Sequence, residues 1–220
     1  MINILKRLLD FIYETKCYFC SSSKEDSIFC SKCYNSVDFL NSQPVFKLEK
    51  SSVYAVSYYK DVIQKLIRAV KYHNKKELAF YQAKIMFDFW QKTDIQNRNY
   101  TVIPVPMFYS KARKRKYNHM DLVCEEFCKA ANYKFDGKSV IRTRETAPQY
   151  KLTKQEREKN LKDAFDLINK NIKEPVLLMD DISTTGTTLS EIIKVLNKNG
   201  IYDITCFVTA VPEKKTIFVY

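Results

Sequence analysis

Residues 175–189, with the sequence PVLLMDDISTTGTTL, constrain the fold of this chain more than any other stretch. They begin with an unbroken apolar run that is too short for a helix and typical of a buried parallel strand. Two carboxylates follow, Asp180 and Asp181, and then five hydroxyl residues and one glycine. A helical pattern of apolar residues starts at Leu189 and ends at Asn199-Gly200. The stretch therefore predicts a strand, a tight polar loop and a helix N-terminus.

This arrangement is typical of an anion site, because the backbone N–H groups and the dipole of the helix both point at the loop. Gly186 lets the backbone approach a ligand closely or adopt a positive φ. A phosphate alone does not explain the acidic pair, which suits a ligand with hydroxyl groups or a bound Mg²⁺. The pattern therefore favours a sugar phosphate. The structural alternative is a strand that ends in a helix-capping loop, although a cap needs only one or two such residues.

The composition fits a folded domain with a small appendage. The chain has 220 residues, 45% of them hydrophobic, and its 37 Lys and Arg outnumber 25 Asp and Glu, for a net charge of +12. This excess favours polyanionic partners such as nucleic acid, phosphates or anionic lipid. No apolar run is long enough to span a bilayer. Residues 1–13 have helical apolar spacing with charges inside it, which predicts an N-terminal helix, not a signal peptide, and hence a cytoplasmic protein.

Four cysteines near the N-terminus form two C-x-x-C pairs separated by nine residues: Cys17, Cys20, Cys30 and Cys33. This spacing places four thiolates around one Zn²⁺, and a set of four cysteines leaves no open position for catalysis, so the predicted zinc is structural. Redox-active dithiols and disulfides are the alternatives. Disulfides are uncommon in a reducing cytoplasm, and a redox motif needs only one pair. The other three cysteines, Cys124, Cys128 and Cys206, lie in apolar patterns and are predicted to be buried.

The rest of the chain alternates between strand and helix patterns, which predicts an α/β fold with a parallel sheet. A linker is predicted at residues 41–44. Residues 111–116 contain five cations after a buried strand, which indicates either a solvated loop or a ligand-binding one. The polar residues 142–160 have no core pattern, and a loop of this length is functional or disordered. Strands are predicted at residues 52–58, 101–106, 139–142 and 204–211, and helices at 60–71, 77–90 and from Leu122 to Ala131.

On the Asp-Asp and Thr-Thr-Gly-Thr-Thr pattern, residues 175–189 resemble the phosphoribosyl-pyrophosphate (PRPP) motif of type I phosphoribosyltransferases. Across nearly the whole chain, the order of motifs resembles the ComF family, which carries a phosphoribosyltransferase-like domain behind a four-cysteine zinc module. The resemblance implies an N-terminal helix and zinc ribbon or knuckle over residues 1–44. It implies a type I phosphoribosyltransferase-like domain over residues 45–220, with a mainly parallel sheet flanked by helices. The motifs that carry it are the cysteine pairs, Val70-Lys71-Tyr72, Pro104-Val105-Pro106, Arg113-x-Arg115-Lys116-Tyr117-Asn118, Arg142-Thr143-Arg144, Gln149, Arg157-x-x-Asn160, Ala164-Phe165 and the acidic loop.

The resemblance also implies roles for residues. Asp180 and Asp181 would face the ribose hydroxyls and Mg²⁺ as the catalytic pair. The 5′-phosphate of PRPP would bind to Ser183, Thr184, Thr185, Gly186, Thr187 and Thr188. Pyrophosphate or DNA phosphates would contact Lys71, Arg113, Arg115, Arg142, Arg144 and Arg157.

The sequence departs from the patterns of these families at identifiable positions. The ComF family has the pattern Arg-Gly-Phe/Tyr-Asn-Gln. At the matching positions this chain has Lys116 instead of the glycine and His119 instead of the glutamine. Thr184 stands where purine phosphoribosyltransferases often have an Asp that exchanges a proton with the base, which argues against purine transfer but leaves orotate-type enzymes open.

Three functions remain as alternatives. ComF proteins are associated with DNA uptake in natural transformation, which implies a protein that binds PRPP and handles single-stranded DNA. The second is an active, Mg²⁺-dependent phosphoribosyltransferase of nucleotide metabolism. The third is an interaction module that docks a helicase-like competence protein.

Overall fold

The computed structural model describes residues 15–108, 117–146 and 154–213. The predicted helix over residues 1–13 lies outside these residues, as does the run of cations at 111–116. The chain divides into two compact units, Met1–Asp38 and Phe39–Tyr220. Leu40, before the predicted linker at residues 41–44, donates its N–H to the carbonyl of Val56 in the larger unit.

Within the described residues 15–38, the smaller unit has tight turns around the cysteine pairs and one short helix, α1 (Ser31–Asn35). The N–H of Cys17 donates to the carbonyl of Ser22, and the N–H of Tyr18 donates to that of Ile28. These backbone bonds fold both C-x-x-C segments onto each other. Phe29 packs against Phe19 and Tyr34, with ring centroids 4.5 and 5.7 Å apart, and supplies the only small apolar core in the described part of this unit.

The larger unit alternates strands and helices, as the sequence predicts. Its elements in chain order are β1 (Phe46–Leu48), β2 (Ser51–Tyr58), α2 (Asp61–Tyr72), α3 (Leu78–Trp90), β3 (Thr101–Pro104), α4 (His119–Ala131), β4 (Lys134–Phe135), β5 (Val140–Arg142), α5 (Lys154–Leu161), β6 (Phe165–Leu167), β7 (Val176–Ile182), α6 (Thr187–Lys198) and β8 (Ile204–Val211).

Six strands form one sheet in the order β1-β2-β8-β7-β3-β4, and every pairing except β1 with β2 is parallel. Strand β7 is central, and Val176 to Met179 are fully buried because helices cover both faces. In the register, Leu178 lies opposite Cys206 of β8 and Ile103 of β3. The predicted fold class, an α/β fold with a mainly parallel sheet, is confirmed.

The alternating side chains of β8 contact different layers on the two faces of the sheet. Cys206 and Val208 belong to an apolar cluster with the inner face of α6, including Leu189 and Ile193. On the other face, Phe207 packs against rings of α3 and α4: Phe89 at 5.9 Å, Trp90 at 5.0 Å and Phe127 at 5.8 Å between centroids. The sheet is therefore the middle of three layers. The predicted burial of Cys124, Cys128 and Cys206 is confirmed.

The structure differs from the sequence expectation for residues 142–160. Where a long polar loop without a core pattern is predicted, the chain forms helix α5. Strand β6, which is not predicted, follows it and pairs with β5 as a two-stranded antiparallel sheet. Helix α5 is polar along most of its length, so it lacks the apolar periodicity that signals a helix. Its last residue, Leu161, is fully buried and, with Ala164, joins the cluster under α6. One apolar residue at its end anchors the helix to the core.

In the part of the chain that the structure describes, no helix is long and apolar enough to cross a membrane.

Candidate functional site

A cleft of about 730 Å³ opens in the larger unit at the carboxyl ends of β2, β3 and β7. The loop from β7 to α6, residues 183–186, forms one side of it, and the ends of β2 and α2 form another. The start of α4 and Arg142 of β5 complete the lining. Open α/β sheets bind their ligands at this edge, because the loops and helix N-termini converge there. Most of the site residues predicted from the sequence therefore lie in one cleft.

Asp181 is buried, and its carboxylate contacts two basic side chains. Its Oδ2 accepts a hydrogen bond from Lys71 Nζ at 2.5 Å and lies 2.8 Å from His119 Nε2. Burial alone would raise the pKa of Asp181, but Lys71 and His119 outweigh it and hold the pKa well below its usual value. The same ion pair raises the pKa of Lys71 against the effect of its own burial. Asp181 is thus held ionised and fixed in position.

Asp180 differs from its neighbour, because no such ion pair with a described residue holds its carboxylate. It is half-buried in the cleft, and its Oδ1 accepts a hydrogen bond from the N–H of Asp181 at 2.8 Å. Burial and the adjacent Asp181 carboxylate raise its pKa, and the more distant charge of Lys71 offsets only part of this. Two adjacent acids therefore have unlike environments, and Asp180 is the one poised to gain a cation or hydroxyl donors from a ligand.

The loop that follows the acids keeps the geometry expected for an anion site. Gly186 has φ +74° and is the N-cap of α6, and no side chain caps this helix end. The positive φ at Gly186 favours glycine, and a Cβ there would lie 2.8 Å from Leu48 Cδ2, so the Leu48 side chain would have to shift. The first N–H groups of α6 have no intrahelical acceptor, and Ser183 Oγ is buried without a hydrogen-bond partner among the described residues. Several donors thus remain for an anion.

The hydroxyls of the loop are arranged unequally. Thr185 Oγ1 and Thr187 Oγ1 lie 2.8 Å apart, within hydrogen-bond distance. Thr184 is exposed at the tip of the loop, Thr188 is half-buried in the first turn of α6, and the Ser183 N–H donates to the carbonyl of Ala210 in β8. The last bond ties the loop to the sheet and positions the residues after it.

The predicted cations separate into different groups. Arg142 lines the cleft, donates to Thr146 Oγ1 and has a pKa lowered by burial, an effect that the Asp180 carboxylate opposes. Arg144 is exposed, and its guanidinium donates to the carbonyl of Lys162 at 2.5 Å, so it does not join the cleft. Arg113 and Arg115 lie outside the described residues, as does the side chain of Arg157.

The cleft is also lined by residues to which the sequence analysis assigns no role, among them Tyr59, Arg68, Tyr72 and His119. His119 is the first residue of α4, and Asn118 caps that helix by accepting from the N–H of Met120 at 3.2 Å. The cap directs the first turn of α4 towards Asp181. The only sequence signal for His119 is its place in the motif where the ComF family has glutamine.

The donor set of the cleft fits Mg²⁺ delivered with a phosphorylated ligand. Mg²⁺ binds through one or two carboxylates and completes its shell with waters and substrate phosphates. Asp180 offers such an oxygen, whereas the described part of this cleft contains no cluster of three or more ligand side chains for an ion bound by protein alone. Asp180 would therefore hold Mg²⁺ together with a phosphate of the ligand.

In the smaller unit, Cys17, Cys20, Cys30 and Cys33 converge, with all four Sγ atoms within 4.8 Å of one another. Cys17 Sγ lies 3.8 Å from Cys33 Sγ, and Cys20 Sγ lies 3.6 Å from Cys30 Sγ. A disulfide needs about 2.05 Å, whereas the edge of a tetrahedron with Zn–S bonds near 2.3 Å is about 3.8 Å. The cluster is compatible with a structural zinc site, as the spacing predicts.

Sequence comparison finds homologues of this chain. It is 30% identical to the DNA utilization protein YhgH of Escherichia coli strain CFT073 over 149 residues, which are 66% of this chain and 65% of that protein. It is 26% identical to competence protein F of Haemophilus influenzae over 198 residues, 86% of either chain. The match with YhgH thus spans slightly less than two thirds of that protein. These homologues confirm the resemblance to the ComF family, although no protein-family model matches the chain.

Among solved structures, the chain is similar to phosphoribosyltransferases. The superposition with adenine phosphoribosyltransferase from Trypanosoma brucei has a TM-score of 0.41 at 11% identity. It covers 80% of this chain and 87% of that structure's chain. Hypoxanthine phosphoribosyltransferase from Trypanosoma cruzi has a TM-score of 0.35 at 13% identity, covering 71% and 72%. Likenesses at this level concern the fold alone.

Proposed function

We propose that this homologue of competence protein F and of the DNA utilization protein YhgH binds PRPP, or a related sugar phosphate, together with Mg²⁺ and acts on single-stranded DNA during DNA uptake. One observation carries the sugar-phosphate half: the half-buried Asp180 shares a cleft with an uncapped helix N-terminus behind Gly186. A helix N-terminus favours a phosphate, and a carboxylate beside it favours hydroxyls or Mg²⁺. A ribose 5-phosphate group carries both.

In the proposed complex the 5′-phosphate accepts hydrogen bonds from the first N–H groups of α6 and from the hydroxyls of Ser183 to Thr188. Asp180 accepts from a ribose hydroxyl or holds Mg²⁺, while Asp181, fixed by Lys71 and His119, orients the end of β7. Arg142 contacts the pyrophosphate. Bound Mg²⁺ supplies charge neutralisation for the pyrophosphate group.

Two observations support the proposal that the protein acts on DNA: the net positive charge of the chain and the names of its homologues. The net charge of +12 favours a polyanion, and the homologues are named for competence and for DNA utilization. The proposed setting is the cytoplasm, where the four-cysteine module would hold zinc and offer a docking surface to a helicase-like competence protein.

The sugar-phosphate proposal can be tested by thermal shift with a panel of ligands: PRPP, ribose 5-phosphate, pyrophosphate and inorganic phosphate, each with and without Mg²⁺. Ligands that bind only the native state add RT ln(1 + [L]/Kd) to the free energy of unfolding, so at equal concentration a tighter ligand raises the melting temperature more. We expect PRPP with Mg²⁺ to give the largest shift and ribose 5-phosphate a smaller one that depends less on Mg²⁺. Equal shifts for PRPP and pyrophosphate, with none for ribose 5-phosphate, would contradict a 5′-phosphate site in the loop.

The second candidate is an active Mg²⁺-dependent phosphoribosyltransferase of nucleotide metabolism. Arg142 favours it, because a guanidinium beside Asp180 can stabilise the departing pyrophosphate. Incubation with PRPP, Mg²⁺ and each common nucleobase in turn, followed by measurement of released pyrophosphate, distinguishes the two. Base-dependent release that is lost in Arg142→Ala would establish an enzyme, whereas binding without release under all bases supports a binding protein.

A further inference from the structure

The turn between α2 and α3 presents two exposed aromatic side chains. Tyr72 ends α2 with 58% of its surface accessible, and Phe80 lies in the first turn of α3 with 52% accessible. The Phe80 ring meets that of Tyr81 edge to face, with centroids 5.4 Å apart. Lys71 Nζ lies 6.0 Å from the centroid of the Tyr72 ring. More than half of each aromatic side chain remains exposed beside the turn, where burial against a partner would be favourable.

The same segment is strongly basic. Residues 65–76 contain five Lys and Arg and no Asp or Glu. Lys65, Arg68 and Tyr72 are all exposed and follow the i, i+3, i+7 spacing of one helical face. Positive charge therefore follows the outer face of α2 into the turn, where Lys75 and Lys76 continue it. We call Lys65, Arg68, Tyr72, Lys75, Lys76 and Phe80 the basic-aromatic surface.

Contacts within the fold hold this turn in place. The N–H groups of His73 and Lys75 both donate to the carbonyl of Ala69, at 3.1 and 3.2 Å. Tyr117 donates its hydroxyl to the carbonyl of Val70 at 2.8 Å, and Lys76 Nζ lies 4.5 Å from the centroid of the Tyr117 ring. A surface that is ordered before its partner arrives loses less conformational entropy on binding.

We propose that the basic-aromatic surface is where this protein holds single-stranded DNA. Nucleobases stack on aromatic side chains only when their faces are free, as in a single strand, while Lys and Arg contact the phosphates whatever the sequence. A duplex offers the phosphates without the free faces, and an anionic membrane offers acidic headgroups but no nucleobases to stack on the two rings. The inference rests on the proposed function and names the residues that carry out its DNA half.

This surface adjoins the sugar-phosphate cleft. Arg68 and Tyr72 line the cleft as well, and Lys71, between them on α2, binds Asp181. A strand lying on the surface would therefore pass the mouth of the cleft.

The test is fluorescence anisotropy with a labelled oligothymidylate and a duplex of equal length, across a series of NaCl concentrations. Tyr72→Ala and Phe80→Ala remove one ring each, and we expect either to weaken binding of the single strand roughly 5-fold to 150-fold. Tyr72→Phe keeps the ring and should bind like the wild type. The plot of log affinity against log salt has a negative slope of about 0.7 per phosphate contact in a single strand. The double variant Lys75→Ala/Lys76→Ala removes two cations and should make this slope shallower by about 1.4.

Matched controls come from the segments that precede the amino ends of β7 and β8, whereas the cleft lies at the carboxyl ends of the strands. Tyr202 is a more exposed aromatic residue, 68% accessible, before the start of β8, and Lys170 is an exposed cation before β7. Tyr202→Ala and Lys170→Ala should leave binding of the single strand unchanged. Both variants lose the same chemistry as the test variants at a place that the inference does not use.

The outcomes separate the inference from the proposed function. Weakening in the ring variants but not in Tyr72→Phe or the controls supports the inference. Wild-type binding that survives Tyr72→Ala and Phe80→Ala unchanged overturns the surface but leaves single-stranded DNA binding in place. Equal affinity for duplex and single strand, insensitive to both rings, also overturns it. No binding of the single strand by the wild type at low salt overturns the DNA half of the proposed function, while the thermal-shift panel still decides the sugar-phosphate half.

Discussion

At the scale of single residues, the two adjacent aspartates, Asp180 and Asp181, have different roles in the site. Asp181 has two basic partners, Lys71 at 2.5 Å and His119 at 2.8 Å, and is buried. Removing one partner of such a buried pair leaves a charge without compensation and typically costs about 3–5 kcal/mol. Asp180 carries a raised pKa and faces the cleft. Asp181 therefore maintains the site, and Asp180 is the carboxylate that a ligand would engage.

Asp180→Asn should stabilise the ligand-free protein at high pH. Burial and Asp181 raise the pKa of Asp180 to about 8, so the folded state retains a proton that the unfolded state, with a pKa near 4, has lost. The contribution of Asp180 to the free energy of unfolding of the wild type is therefore present at low pH and is lost as pH rises from about 4 to about 8. Urea unfolding of wild type and variant across this range measures the difference, which should grow with pH. A difference in the free energy of unfolding between the two proteins that stays constant with pH would contradict a raised pKa at Asp180.

Gly186→Ala should destabilise the protein and weaken sugar-phosphate binding. Alanine at φ +74° costs about 1–2 kcal/mol, and its Cβ would press on Leu48. Gly200→Ala is a matched control, because Gly200 has φ +84° and nothing within 4 Å of an added Cβ. Chemical denaturation and PRPP titration of both variants test this. We expect both to lose stability but only Gly186→Ala to lose affinity, and equal affinity in the two would contradict a ligand at this loop.

At the scale of elements, the predictability of the fold follows the strength of the apolar pattern. Strand β7 and helix α6 follow directly from the sequence because their apolar runs and their glycine are unambiguous. Helix α5 is missed because it is polar along most of its length and, among its described side chains, Leu161 is the fully buried one. Strands β1 and β6 are missed because each has three residues, too few to establish an alternating pattern.

The candidate site was predictable to the same extent. The loop from Asp180 to Thr188 could be predicted because its chemistry lies in one contiguous stretch. Tyr72 and His119 stand in or beside motifs of the family resemblance, but their place in the cleft could not be predicted, because it depends on the packing of α2 and α4.

Leu161→Ala tests whether α5 is anchored by this one side chain. Leu161 is fully buried, so its truncation leaves a cavity, and we expect a loss of about 2–5 kcal/mol in the free energy of unfolding. Lys159→Ala, two residues earlier and exposed, is the control and should change stability by less than about 0.5 kcal/mol. Guanidinium unfolding measures both. A small effect of Leu161→Ala would contradict the packing of α5 on the core.

At the scale of the whole molecule, the chain combines a four-cysteine unit and a parallel α/β unit. The first, Met1–Asp38, has a small aromatic core beside its cysteines, and units of this size need a metal or a disulfide to fold. The second carries the cleft and the basic-aromatic surface on one edge. Both kinds of site are suited to a protein that meets phosphates, either in a small ligand or along a strand.

Zinc removal should unfold the smaller unit. We expect one zinc per chain by atomic emission, and loss of that zinc in Cys20→Ser, because Cys20 is the exposed member of the set and its replacement leaves three thiolates. Chelation should make residues 15–38 sensitive to protease, since metal binding supplies the folding free energy of such units. Cys128→Ser, at a buried cysteine outside the cluster, should keep its zinc. A chain that contains no zinc when purified without chelator would contradict the site.

The sugar-phosphate site is best tested by isothermal titration calorimetry of PRPP in the presence of Mg²⁺, on the wild type and on Asp180→Asn. We expect saturable binding at one site per chain in the wild type, dependent on Mg²⁺. Binding should be at least about tenfold weaker in Asp180→Asn, since a lost charge-assisted contact is worth about 1.5–3 kcal/mol. An affinity that is equal in the two proteins, or independent of Mg²⁺, would contradict the claim that Asp180 and the loop before α6 form a sugar-phosphate site.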